Sequence, residues 1–299
     1  MTLPSIWVKE YGIKKGQELE VTTEGNTLFT TIPSGKELEL AEIDTKGIDR
    51  TFLRCAIRSA YKKGYDEIRV NYHTPTLKHY RLDKQVSVHK IVSEEVESLI
   101  GFEVIENNRN SIVIKGFSQE HKEDFDIFLR KIFLNLIQYA QDLENVPYDQ
   151  SIFEQWELKH WNIKKFINYC IRILNKKGHV RHEDTTLLYH LISSLDIILG
   201  VIQHTGRYAQ EHKLTYGSHT KNIMADIIGI FSQYYELFYH YSNEKVVEFS
   251  LRRNAIKESI VTFADKISPK ETLFLDRFYQ TVELFYRLME IRMDLEHND

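Results

Sequence analysis

Phe128-Leu129-Arg130-Lys131-Ile132-Phe133-Leu134-Asn135-Leu136-Ile137-Gln138-Tyr139-Ala140-Gln141-Asp142-Leu143 is the stretch from which the fold is read. Phe128, Ile132, Leu136, Tyr139 and Leu143 recur at spacings of three or four, the period of one face of an α-helix. The same step recurs downstream in Ile163, Ile167, Cys170 and Leu174, and in Leu188, Leu191, Leu195, Ile198 and Ile202. It recurs again in Phe274, Phe278, Val282, Phe285 and Met289, after a break at Ser268-Pro269 where Ser268 can cap and Pro269 takes the first helical position. Two further helices are expected over 218–241 and 245–266. Long helices with short connections imply antiparallel bundles over 118–299.

Upstream of this half the pattern is mixed. Over 37–117 we expect a small α/β unit: a strand at 38–43, then a helix at 49–63 with Phe52, Ala56, Ile57 and Ala60 inward. A strand at 67–72, a loop around Pro75, a helix at 87–98 and a hairpin turning at Asn107-Asn108 follow. Residues 1–36 alternate polar and apolar in Glu18-Leu19-Glu20-Val21 and Asn26-Thr27-Leu28-Phe29, with Gly12, Gly16 and Gly25 as turns and Ser34-Gly35-Lys36 as a linker. So small a piece cannot bury much apolar surface alone and calls for a second copy. The fold class is therefore α+β: a small N-terminal β module, a small α/β middle unit and an all-α C-terminal half.

Composition narrows the function. The net charge of −4 gives no global attraction to nucleic acid, so any such contact is local. Cys55 and Cys170 lack CxxC spacing and read as buried thiols of a reducing compartment. The strongest apolar run, 187–202, is broken by His190, Ser193, Ser194 and Asp196 and reads as too short and polar to span a membrane. A cytoplasmic chain without membrane insertion is expected. GxSxG, Walker, GxGxxG and HExxH patterns are all missing, which reads as a protein that is not an enzyme. The turn His179-Val180-Arg181-His182 is basic but sits between helices, where exposed loops are ordinary.

Both ends resemble known families. Thr2-Leu3-Pro4, Trp7-Val8-Lys9, Tyr11-Gly12-Ile13-Lys14-Lys15-Gly16 and Leu19-Glu20-Val21 follow the order of features of the AbrB/SpoVT module. That family interleaves two hairpins into a dimer, and the resemblance implies a swapped-hairpin homodimer that contacts DNA through Lys9, Lys14 and Lys15. Family members carry a basic arm and most of a strand before the apolar-Pro pair, so an extension upstream of Met1 is expected. The helical half resembles PhoU proteins, which fold as tandem three-helix bundles. Together the parts resemble archaeal PhoU-type regulators. The resemblance implies regulation of phosphate uptake, by binding DNA or by contact with the phosphate transporter or a signalling protein.

PhoU helices repeat an acidic E/D-x-x-x-D motif that holds a metal ion. Glu290 and Asp294 match it, whereas Asp196 has lost its second acid to Gly200. Carboxylates four apart share a helical face, so the resemblance implies a divalent or iron-type ion at Glu290 and Asp294, with weak or no binding at Asp196. Glu236, Glu248 and Glu258 are the neighbouring acids that could complete the set.

Overall fold

The computed structural model describes residues 2–24, 27–32, 39–117 and 120–296. The linker at Ser34-Gly35-Lys36, Leu38 at the start of the next strand, and Gly25-Asn26 lie outside the described residues. The chain divides into two compact units, Met1–Glu39 and Leu40–Asp299.

The small unit begins with helix α1 (Ser5–Glu10). Gly12 and Gly16 follow with φ of +59° and +87°, the left-handed turns for which glycine suits the chain. The antiparallel hairpin β1 (Glu20–Glu24) and β2 (Thr27–Thr31) pairs Val21 with Thr30 and Thr23 with Leu28. The strands lie further along than the alternation suggested, which had placed them at 18–21 and 26–29. α1 buries no residue, and Ile6, Tyr11, Val21 and Leu28 are exposed.

The larger unit opens with β3 (Leu40–Asp44), α2 (Arg50–Lys63) and β4 (Glu67–Asn71). Asp49 caps α2 by accepting from the Phe52 amide at 2.8 Å, and Gly64 ends it at φ +111°. A hairpin follows, β5 (Thr76–His79) and β6 (Lys84–Ser87), where Pro75 had suggested only a loop. Helix α3 (Val88–Val96) and the hairpin β7 (Phe102–Asn107) and β8 (Ser111–Gly116) complete the part. The main sheet has the order β3-β4-β8-β7, with β3 parallel to β4 and the remaining pairs antiparallel. α2 turns Leu53, Ile57, Ala60 and Tyr61 inward. Its inner face is thus rotated from the expected one, and Phe52 is exposed.

Six helices follow: α4 (Asp124–Asp142), α5 (Gln150–Lys177), α6 (Thr185–Glu211), α7 (Ser218–Tyr239), α8 (Asn243–Phe263) and α9 (Pro269–Glu296). α5 packs on α4 and α6, and α7, α8 and α9 pack on one another, which gives two consecutive sets of three. The sets meet along α6–α9 and α4–α7, while α2 lies on α5 and joins the α/β part to the helices. Ser268 and Glu271 form a reciprocal capping box at the start of α9: Ser268 Oγ accepts from the Glu271 amide at 3.3 Å, and Glu271 Oε2 accepts from the Ser268 amide at 3.3 Å. The inward faces of α5, α6 and α9 are the ones the period marks. Phe128 departs from its stripe: it is half-buried and packs beside Phe166 and Tyr169, while Phe125 and Leu129 fill the core of α4.

The stretch His182–Glu211 is longer and more apolar than its sequence suggested, with a hydropathy of 1.7 over an 18-residue window. By length and composition it could cross a membrane. In the fold, Leu188, Leu191, Leu195, Ile198 and Ile202 are buried in the helical core. That is the profile of a central bundle helix as well.

Candidate functional site

Lys9 lies in the last turn of α1, while Lys14 and Lys15 stand in the turn before β1. All three are exposed, and among the described residues none of them forms an ion pair. Glu10 and Glu18 are exposed in the same unit. The three lysines can therefore meet a phosphate backbone only as solvated point charges, whose attraction falls steeply with salt.

The acids of the helical half are dispersed. Glu290 and Asp294 lie exposed on the last turns of α9. Glu236 pairs with His240 at 3.2 Å, and Glu248 and Glu258 are exposed on α8. Asp196 accepts from Lys164 across the α5–α6 seam, at 2.6 Å from Oδ2, so its charge already faces a cation. Among the described residues no three His, Cys, Asp or Glu gather as metal ligands. A hard cation takes six or more oxygens, and Glu290 with Asp294 supplies two carboxylates.

The richest constellation lies elsewhere, where α2, α3 and α5 meet. A cleft of about 490 Å³ opens there, lined by Arg50, Arg54, Glu94, Glu97, Trp161 and Lys165 among others. Its geometry starts from helical spacing: Arg50, Arg54 and Arg58 are four apart and share one face of α2. Glu95 on α3 is fully buried and holds two of them. Arg54 Nε donates to it at 2.6 Å, and Arg58 donates from Nε at 2.8 Å and Nη2 at 3.0 Å. A buried carboxylate gripped this way is stable only while both partners stay in place. The Arg54 guanidinium also lies over the Trp161 ring, 4.8 Å from its centre, a cation–π contact. Arg50 makes a longer contact to Glu94, at 3.4 Å. Further along the stripe, burial lowers the pKa of the Lys62 ammonium.

Arg172 on α5 is a second buried cation, 1% exposed. Its Nε donates to Glu120 at 2.5 Å, and its Nη1 donates to the carbonyls of Tyr61 and Tyr65, each at 2.8 Å. The guanidinium lies 5.0 Å from the Tyr61 ring centre and 4.8 Å from that of Phe102. It ties the end of α2 and the start of β7 to the helical core. Nearby in the first set of helices, Trp156 stacks on Tyr139 at 4.4 Å and donates to the Tyr139 carbonyl at 3.0 Å. The Tyr139 hydroxyl, His160 Nδ1 and the Asn168 amide are buried without a hydrogen-bond partner among the described residues. Burial, with Lys164 and Arg207 nearby, pushes the pKa of His160 down to about 3.

Neither the cleft nor the Arg172 site was read from the sequence. One signal was available: Arg50, Arg54, Arg58 and Lys62 form an unbroken basic stripe at a spacing of four. A stripe of that kind usually faces solvent, and here it faces α3 and α5. Compared with protein-family models, with curated proteins and with solved structures, the chain matches none.

Proposed function

We propose that this chain is a non-enzymatic, homodimeric regulator of phosphate uptake in the cytoplasm, whose N-terminal module assembles two copies and contacts DNA through Lys9, Lys14 and Lys15. One observation carries the assembly. Every described apolar side chain of the small unit is at least partly exposed, with Ile6 at 79% and Val21 at 50%. A second copy covering these residues is the cheapest way to satisfy them. The order of a short helix, a glycine turn and a hairpin is also the one that the AbrB/SpoVT resemblance implies. The link to phosphate comes from the PhoU resemblance of the helical half.

Sedimentation of the full chain tests the assembly, and a monomer at micromolar concentration would rule it out. A mobility-shift assay on the DNA upstream of the chain's own coding region tests the contact. Replacing Lys9, Lys14 and Lys15 together by Ala should abolish the shift, and each lost phosphate contact should shallow the log–log salt slope by about 0.9. Unchanged affinity would remove these lysines from the reading.

A second reading, an adaptor that contacts the phosphate transporter or a signalling protein, is favoured by helix α8. It buries only Phe249 and Ile256 and leaves Val247, Leu251 and Val261 in solvent. A dimer that shifts no DNA and retains a soluble partner domain on a column would favour it.

A further inference from the structure

We propose that the cleft between α2, α3 and α5 binds a nucleoside monophosphate, with its phosphate on Arg50, Arg54 and Lys165 and its base against Trp161 and Leu158. The inference goes beyond the regulator reading and does not depend on DNA binding.

The cations argue for an oxyanion. The Arg50 and Arg54 side chains are only 18% and 13% exposed. Yet among the described residues Arg54 bonds Glu95 through Nε alone, and Arg50 makes a single 3.4 Å contact. Lys165, half-buried on the same wall, has no ion-pair partner among the described residues. The Arg54 Nη groups, Arg50 and Lys165 thus keep little-solvated N–H donors to spare, which favours a charged acceptor, and a phosphate supplies several oxygens to them at once. The Glu95 clamp holds Arg54 in place before anything binds, so little ordering is required on association.

The rest of the lining selects what the phosphate is attached to. Leu158 and Trp161 are three apart on α5 and offer an apolar wall, and Leu158 is left 65% exposed. A flat base covers such a wall, whereas a bare inorganic ion does not. Glu97 and Asn162 line the same cleft and are exposed. A carboxylate beside a phosphate site repels a bare anion, but it accepts from the amino group of a base such as adenine. Counting the Glu95 pair, four cations (Arg50, Arg54, Arg58 and Lys165) face three carboxylates (Glu94, Glu95 and Glu97), a small positive excess that suits one phosphate better than three. The volume of about 490 Å³ lies within the range of small-ligand sites.

Calorimetric titration of the full chain with AMP, inorganic phosphate and adenosine, at one fixed ionic strength, tests this. The expected result is saturable AMP binding, at one per chain, at least about tenfold tighter than either fragment. Lys165→Gln and Arg50→Gln should each weaken AMP about tenfold, while melting temperatures stay within a few degrees of the parent. Trp161→Leu should erase the advantage of AMP over phosphate. The proposal is overturned if AMP gives no saturable heat at millimolar concentration, if phosphate binds as tightly as AMP, or if folded Lys165→Gln binds AMP as well as the parent. Dimerisation and DNA binding are read separately, so failure here leaves the regulator reading untouched.

Discussion

The two sets of three helices share a plan but differ inside. In α4–α6 the core holds His160, Asn168, Arg172, Gln203 and Thr205 at low exposure, and polar atoms of His160 and Asn168 find no partner among the described residues. In α7–α9 the core is a block of rings, Phe231, Tyr234, Phe249, Phe274, Phe278 and Phe285. Its two fully buried polar residues, Thr220 and Thr281, both donate hydrogen bonds, to Glu271 at 2.8 Å and to the Phe278 carbonyl at 2.6 Å, and the atoms left without a partner among the described residues, Gln233 Oε1 and the Tyr239 hydroxyl, belong to side chains at the edge of this core. A ring core is indifferent to proton concentration and tolerates little loss of volume. A core with buried polar groups is tuned by pH and by its neighbours. The set that carries the polar core is also the one that borders the α/β part and the cleft. The aromatic set is the scaffold against which it is held.

The largest expected effect contrasts the cores directly. Phe278→Ala should lower stability by about 3–5 kcal/mol through the cavity it leaves. Arg172→Met should lose a similar amount, about 3–5 kcal/mol, because buried Glu120 is left with only the Lys176 ammonium, 3.8 Å away. Urea midpoints measure both. Only the second loss should be partly recovered by a further change, Glu120→Gln, and absence of that coupling would erase the distinction.

The next effect is the response to acid. His160 has a folded pKa of about 3, below its unfolded value near 6.5, so it binds protons more readily when unfolded. Its stabilising contribution is complete above pH 6.5 and is lost progressively as the pH falls toward 3. Between pH 7 and 5 it should take away about 2 kcal/mol. His160→Leu should flatten the stability–pH curve by that amount. An unchanged curve would mean that the polar core does not sense pH through this ring.

Smaller effects separate the seams of the two sets. A Cβ at Gly206 would meet the Trp156 ring at 2.3 Å and a Leu143 methyl at 2.9 Å. The indole is held by its stack on Tyr139 and its hydrogen bond, so Gly206→Ala should lose about 1 to 2 kcal/mol despite better helix propensity. At Gly229 the nearest atom is the Arg252 Nη2, 2.0 Å away, the far end of a flexible chain that is 38% exposed. Gly229→Ala should therefore be neutral or gain up to about 1 kcal/mol. Thermal melts of the pair rank them. A reversed order would show that the first seam is the looser one.

The apolar half of this architecture was legible because it is periodic. α5, α6 and α9 put inward the residues whose spacing said so. α8 gave no such stripe because only Phe249 and Ile256 are buried along it. Arg172 was hidden by its surroundings: from Ile167 to Leu174 the helix is buried on every side, so no period distinguishes a buried cation from an exposed one. The hairpin β5–β6 was masked by Pro75, which lies just before its first strand. The cleft could not be seen locally at all, since its walls come from residues 50–54, 94–98 and 158–165. The basic stripe on α2 was visible, but which way it faced depended on Glu95, a residue of another helix.

The Arg172 seam also limits how this protein can be taken apart. Sequence character changes near residue 117, and that is where one would cut to isolate the helices. A fragment beginning there would strip the guanidinium of two carbonyl acceptors and two aromatic faces, and would bare the side of α5 that α2 covers. The helical half cannot then be exchanged as an independent cassette. Any chain that inherits it must inherit the sheet and α2 as well.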